Sequence, residues 1–276
     1  MNLIVQGTAL ADEDLRRIAQ LAGTQQFERL GSGAGKLVSA QQNPAITTYC
    51  ARVGLDFGFV PEGLRLAHMR LLAIDMDSTL ITIECIDEVA DLAGVKAEVV
   101  AITAAAMSGE IDYAESLRRR VGLLQGLDET ALARVYAERL RLSPGAETLL
   151  AAARLAGLKT LLVSGGFSFF TDRLKARLGL DYCASNVIEI EDGRLTGRVI
   201  GDIVDAEGKA AKLRAVCDEL RIAKDATIAI GDGANDLKMM AEAGISVAYH
   251  AKPVTRSKAD YALDYCGLDG VLNLFA

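Results

Sequence analysis

Four apolar residues, Leu71-Leu72-Ala73-Ile74, run directly into Asp75-Met76-Asp77. A short unbroken apolar run is how a parallel strand covered on both faces reads, and open α/β sheets keep their chemistry at the carboxyl ends of such strands. The pattern predicts a buried strand that delivers Asp75 and Asp77 together at one sheet edge. Two unit charges about 4 Å apart repel by roughly 4 kcal/mol at an effective dielectric near 20, and a cation between them turns that repulsion into attraction. A lone Asp-x-Asp is equally a turn that caps the next helix, so the rest of the chain decides.

Beyond Arg70, apolar runs at Leu71 to Ile74, Leu158 to Val163, Thr227 to Ile230 and Ile245 to Ala248 alternate with helical patterns. That alternation predicts an α/β fold, a Rossmann-like parallel sheet with helices on both faces. Between the first two runs, residues 83–142 carry amphipathic stretches such as Tyr113 to Leu124 and Thr130 to Leu140. The segment is too long for one crossover and reads as a helical cap inserted over the sheet edge. Ser143-Pro144-Gly145 returns the chain to the sheet, and the alternation of residues 186–200 around Asp192-Gly193 predicts a β-hairpin. Ahead of this unit of residues 70–276, residues 1–61 read as a small α/β lobe. Its elements are a strand Leu3 to Gln6, a helix Asp14 to Ala22, strands near Phe27 to Leu30 and Lys36 to Ala40, then a helix and a strand through Val60. Their order is similar to an ACT-type amino-acid-binding regulatory domain, and a structural lobe or one that pairs two copies into a homodimer fits the pattern as well.

A chain of 276 residues, 51% apolar, is long enough for two domains around a sizeable core. Its net charge of −7 offers no basic surface to nucleic acid or acidic lipid, so an anionic partner must be met in a local pocket. Leu3-Ile4-Val5 has no cationic flank and no eighteen apolar residues run together, which sets the expectation of a cytoplasmic protein without a membrane partner. Cys50, Cys85, Cys183, Cys217 and Cys266 are odd in number, widely spaced and lack a C-x-x-C, so buried free thiols are expected. With only His68 and His250 present, a zinc site rich in imidazole is excluded and a hard cation held by oxygens is favoured. The stretch Gly31-Ser32-Gly33-Ala34-Gly35-Lys36 imitates a phosphate-binding loop but has Leu30 where the first glycine belongs and Leu37 where a Ser or Thr belongs, so it reads as a turn.

Further strand ends supply partners for the two aspartates. Leu161-Leu162-Val163 is followed by Ser164-Gly165-Gly166, a hydroxyl and uncovered backbone suited to a phosphate oxygen. Ile228-Ala229-Ile230 is followed by Gly231-Asp232-Gly233-Ala234-Asn235-Asp236, which adds carboxylates at another tip. Asp75, Asp77, Asp232 and Asp236 cannot all stay ionised side by side without a cation, and oxygen ligands with room for phosphate suggest Mg²⁺. Lys209 opens the helix before that strand; taken alone it reads as a solvated surface lysine.

Together, Asp75-Met76-Asp77-Ser78-Thr79, Ser164, Lys209 and Gly231-Asp232-Gly233-Ala234-Asn235-Asp236 resemble, in order, the four motifs of the haloacid dehalogenase-like phosphohydrolase family. The resemblance covers about residues 70 to 276. Glu84 and the cap segment Glu115-Ser116-Leu117-Arg118-Arg119-Arg120-Val121 resemble the members that act on O-phosphoserine. One departure is Glu207-Gly208-Lys209-Ala210, where many relatives place lysine before glycine, so Lys212 stays open as a stand-in.

The resemblance implies Asp75 as nucleophile through an aspartyl-phosphate, Asp77 as acid and then base, and Lys209 as a catalytic cation. It implies Mg²⁺ held by Asp75, the Asp77 carbonyl and Asp232, with Asp236 behind them orienting the metal shell or Lys209. Ser164, Gly165, Lys209 and Asn235 would cradle the phosphate. Glu84 would receive an ammonium and Arg120 a carboxylate, the two head groups of an amino acid phosphorylated on its side chain. Without the resemblance, any one of three consecutive helical arginines reads as a solvating surface charge. Met107 and Ala104-Ala105-Ala106 read as core packing. The expected substrate is O-phosphoserine, the reaction being the last step of serine synthesis. Alternatives are another small ester, such as phosphothreonine or phosphohomoserine, acted on by a phosphatase or phosphotransferase, or a non-catalytic amino-acid sensor.

Overall fold

A computed structural model describes residues 1–276. Near the N-terminus, strands β1 (Asn2–Gln6), β2 (Phe27–Arg29), β3 (Ala34–Leu37) and β4 (Asp56–Val60) pair antiparallel in the order β2-β3-β1-β4. Helices α1 (Asp12–Leu21) and α2 (Pro44–Val53) cover one face. Helix α1 starts two residues before the expected Asp14, because the Asp14 carboxylate accepts the Ala11 N–H at 3.1 Å from inside the first turn. Helix α2 is capped by Asn43, whose side chain accepts the Ala45 N–H at 3.0 Å, with Pro44 in the first turn. Strand β3 is shifted toward the N-terminus of the expected Lys36–Ala40, and the glycine-rich stretch forms the β2–β3 turn and the start of β3.

Period-two alternation splits β1 between two cores. Leu3 and Val5 join Leu15, Ile18, Ile46 and Cys50 under the helices, whereas Ile4, with Val60 of β4, joins the large core of the remaining chain. The lobe is docked through its sheet. Asp56, 3% exposed, accepts the backbone N–H groups of Asp264, Tyr265 and Cys266 at 2.7, 3.1 and 2.9 Å.

The second sheet has seven strands: β5 (Leu71–Asp75), β6 (Lys159–Phe167), β7 (Tyr182–Glu191), β8 (Arg194–Ile200), β9 (Thr227–Gly231), β10 (Ile245–Tyr249) and β11 (Tyr261–Leu263). Their order is β11-β10-β9-β5-β6-β7-β8, parallel except for the β7–β8 hairpin. Asp192 and Gly193 turn that hairpin with φ of +50° and +73°, the left-handed pair a two-residue hairpin turn requires. The first half of β7 and all of β11 go beyond the strands expected from sequence.

Successive residues of β5 point to opposite faces. Leu72 and Ile74 pack with Leu149 and Leu150 of α7 (Ala146–Leu155) and with Phe170 and Leu174 of α8 (Ser168–Leu178), as residues distributed between the two helices on that side. Leu71 and Ala73 pack with Leu213 and Val216 of α9 (Ala206–Leu220) and with Met239 and Met240 of α10 (Leu237–Glu242). Both faces are covered, which is why β5 reads as an unbroken apolar run. Between β5 and β6 the chain leaves the sheet to form α3 (Cys85–Ala93), α4 (Lys96–Met107), α5 (Tyr113–Gly122) and α6 (Thr130–Arg134). A bridge between Ile81 and Leu142 closes the neck of this insertion. The insertion leans on the hairpin, where Leu195 donates to Leu127 and accepts from Gly126 at 2.9 and 2.8 Å.

Candidate active site

Because β5 lies between β6 and β9, the tips carrying Asp75, Ser164 and Asp232 stand side by side. The chain leaves β5 in a single wide turn closed by Ile81 N–H to the Met76 carbonyl at 3.0 Å. Within it Ser78 takes φ +54°, a left-handed conformation that costs a non-glycine residue about 1–2 kcal/mol. That turn directs the Ser78 hydroxyl to Glu84 Oε1 at 2.7 Å. The tips and the cap enclose a cavity of about 460 Å³, bordered by Asp75, Asp77, Asp232 and Asn235 on the sheet side and by Glu84 and Arg120 on the cap side.

Lys209, which taken alone reads as a surface lysine, is 1% exposed. Its Nζ donates to Asp75 Oδ1 at 2.6 Å and to Asp236 Oδ1 at 2.7 Å. Burial pulls the ammonium toward neutrality, but the Asp236 and Asp75 charges outweigh it and hold its pKa above the usual lysine value. Lys212, the stand-in left open by the sequence, is exposed on the outside of α9. Asp236 is fully buried and is held further by the Gly233 N–H at 3.0 Å.

Carboxylate oxygens of Asp75, Asp232 and Asp236 lie within 4.8 Å of one another. Burial first, then the Asp236 charge, pushes the Asp75 carboxyl well above the usual carboxylate range. The same two causes push Asp232 up to about 6. One ammonium does not balance three carboxylates, and the donors are all hard oxygens, so the group fits a divalent cation such as Mg²⁺. The Asp77 side chain stands outside this group. It accepts the Cys85 N–H at 2.8 Å and the Ser164 hydroxyl at 3.2 Å, and burial raises its pKa despite those donors. Glu84, exposed toward the cavity at the start of α3, is pushed up to about 7 by partial loss of water around it and then by the Asp77 charge.

Of the three consecutive arginines, Arg118 is exposed, Arg119 pairs with Glu115 at 2.7 Å, and Arg120 turns into the cavity. Met107 corrects the sequence expectation: it is 66% exposed and borders the cavity together with Ala106. Helix α4 buries only Val99, and its Ala106 and Met107 form part of the cavity rim where core packing was expected. The cysteines are free as expected, but only Cys50 and Cys85 are fully buried and the other three are half-buried.

Some site residues escaped the sequence reading. Thr79 donates to Asp232 Oδ1 at 3.2 Å, and Lys252 borders the cavity while its N–H donates to the Asp232 carbonyl at 3.1 Å. Tyr113 and Asn186 both donate to the Gly165 carbonyl at 2.8 Å. Thr79 lies within the Asp75–Thr79 motif; the contacts of the others join distant segments and carry no local signal.

Comparison with known proteins gives the family. The sequence profile of the haloacid dehalogenase-like hydrolases matches residues 72–241, and that of a domain of unknown function (DUF4072) matches residues 3–46. A phosphoserine phosphatase of Polaromonas sp. is 56% identical over 226 residues, 80% of this chain and 96% of that protein. The crystal structure of a probable phosphoserine phosphatase from Vibrio cholerae, in unliganded form, superposes with a TM-score of 0.87 at 38% identity, covering 99% of this chain and 86% of the other. A structure described as the phospho-aspartyl intermediate analogue of phosphoserine phosphatase gives 0.71 at 36% identity, covering 75% and 99%. The chain belongs to the haloacid dehalogenase-like hydrolase family, in the branch defined by its phosphoserine phosphatase relatives. No helix is long and apolar enough to cross a membrane.

Proposed function

We propose that this chain hydrolyses O-phospho-L-serine to L-serine and phosphate. The observation that carries the reading is that one cavity has a phosphate-handling wall, Asp75 to Asn235, facing a wall with one acid and one guanidinium, Glu84 and Arg120. A phosphorylated amino acid has the matching groups: a phosphate at one end, an ammonium and a carboxylate at the other.

Asp75 Oδ attacks phosphorus, and the bond from phosphorus to the serine oxygen breaks with its electron pair going to that oxygen. Asp77 gives the departing alkoxide its proton; a raised pKa in a buried site suits a carboxyl group to carrying it. Water then attacks the aspartyl-phosphate, Asp77 takes the water proton, and the Asp75 carboxylate is released with inorganic phosphate. Lys209 holds Asp75 in place and offsets phosphate charge, while Gly165 and Asn235 donate to the phosphate oxygens; Ser164, expected in that cradle, is buried with its hydroxyl turned to Asp77 instead. Asp75, Asp232 and the Asp77 carbonyl would hold Mg²⁺, which when bound supplies positive charge to the phosphoryl oxygens and favours ionised Asp75. Asp236, committed to Lys209 and Gly233, acts behind them. On this reading residues 70–276 form the catalytic unit and residues 1–61 a docked lobe.

Phosphate release from O-phosphoserine, phosphothreonine, phosphohomoserine and p-nitrophenyl phosphate tests the proposal. The expected result is the highest kcat/KM on phosphoserine. Equal or faster turnover of another ester, or no release at all, overturns it.

A further inference from the structure

Tyr113 begins α5 in the cap, yet its hydroxyl reaches the sheet domain and donates to the Gly165 carbonyl at 2.8 Å. Burial pushes that phenol up to about 12, so it keeps its proton. The same carbonyl accepts Asn186 Nδ2 at 2.8 Å, and Asn186 is fixed in turn because its Oδ1 accepts the Val204 N–H at 2.7 Å. Two donors occupy both lone pairs of the Gly165 oxygen.

The N–H of that same peptide unit belongs to Gly166, and it donates to Ser164 Oγ at 2.8 Å. Having accepted there, Ser164 Oγ directs its own hydrogen away, to Asp77 Oδ2 at 3.2 Å. One peptide plane therefore joins a cap side chain to the carboxyl group assigned as acid and base. Hydrogen bonds in such a series polarise one another in the same sense. The approach needs both glycines: a Cβ on Gly165 would collide with the Tyr113 hydroxyl, and one on Gly166 would stand 2.8 Å from Asp77 Oδ2.

We propose that Tyr113 is a positioning residue for Asp77, acting through the Gly165–Gly166 peptide and Ser164, so that seating the cap orients the acid. The inference rests on the acid role of Asp77 in the proposed function. It makes proton delivery conditional on the cap being down, because lifting α5 withdraws one of the two donors that pin the peptide.

The test compares kcat/KM, which reports the steps through first bond cleavage, on two esters. Departure of the serine alkoxide needs the proton from Asp77; departure of p-nitrophenolate does not. Tyr113→Phe keeps the ring and deletes one hydrogen bond, so it should lower kcat/KM for O-phosphoserine about tenfold and for p-nitrophenyl phosphate less than about twofold. Asn186 stands outside the cavity wall, and Asn186→Ala should produce the same selective loss. Equal losses on both esters, no loss on either, or a selective loss in Tyr113→Phe that Asn186→Ala does not share would overturn the inference alone. Failure of the unaltered chain to hydrolyse phosphoserine, measured in the same assay, would overturn the proposed function and this inference with it.

Discussion

Asp56 and Asp75 are both buried aspartates, 3% and 4% exposed, and their surroundings differ in kind. Three backbone N–H groups converge on the Asp56 carboxylate and bind the N-terminal lobe to residues 264–266. Asp75 has the Met76 N–H and the Lys209 ammonium, but it shares that ammonium with Asp236 and sits close to Asp232. The first site is satisfied by the chain itself, whereas the second is short of positive charge. Burial of a carboxylate therefore does not distinguish a structural anchor from a reactive group; the balance of its neighbours does.

The comparison breaks most visibly at Asp75. Asp75→Asn should lower phosphate release by about a thousandfold or more, since an amide of nearly the same shape is a poor nucleophile, while the melting temperature holds or rises. Loss of folding together with activity would make Asp75 an anchor like Asp56. Asp56→Ala should do the reverse, costing about 3 kcal/mol in denaturant unfolding because three partly buried donors lose their acceptor, with kcat retained in the folded protein. A variant with unchanged stability would contradict the docking role.

Within the cavity, Arg120→Ala should raise KM for O-phosphoserine about thirtyfold and leave KM for p-nitrophenyl phosphate, which has no carboxylate, within about twofold. Equal changes would remove Arg120 from head-group recognition. The smallest effect is on pH dependence. Asp232 and Glu84 have folded pKa values raised to about 6 and about 7, so the folded state holds more protons than the unfolded state between about pH 4 and 7. Stability in EDTA should therefore fall as pH rises through that window, and Mg²⁺ should flatten the slope by favouring the ionised forms. A slope of opposite sign, or one that Mg²⁺ leaves unchanged, would count against the crowded-carboxylate account.

The legible parts of this site were those written in contiguous residues. Asp75, Asp77 and Asp232 follow apolar strands directly, and the strand order brings their tips together. Lys209 was legible only by its place among the other motifs, since its burial depends on Asp75 and Asp236 from distant segments. Tyr113, Asn186 and Lys252 act on or near backbone atoms far away in sequence, and no spacing announces such contacts. Strand β11 was illegible for a different reason: three residues are too few to show a period. Met107 misled because an apolar side chain reads the same whether it packs a core or lines a cavity.

On the proposed function, oxygens from β5 and from the loop after β9 share one divalent cation. Calorimetric titration of Mg²⁺ into EDTA-stripped protein, with phosphate release from O-phosphoserine followed in the same samples, tests this most directly. One binding event is expected, its saturation tracking the return of activity, with loss of both in Asp232→Asn. Full turnover in EDTA, or undiminished Mg²⁺ binding by Asp232→Asn, would contradict it.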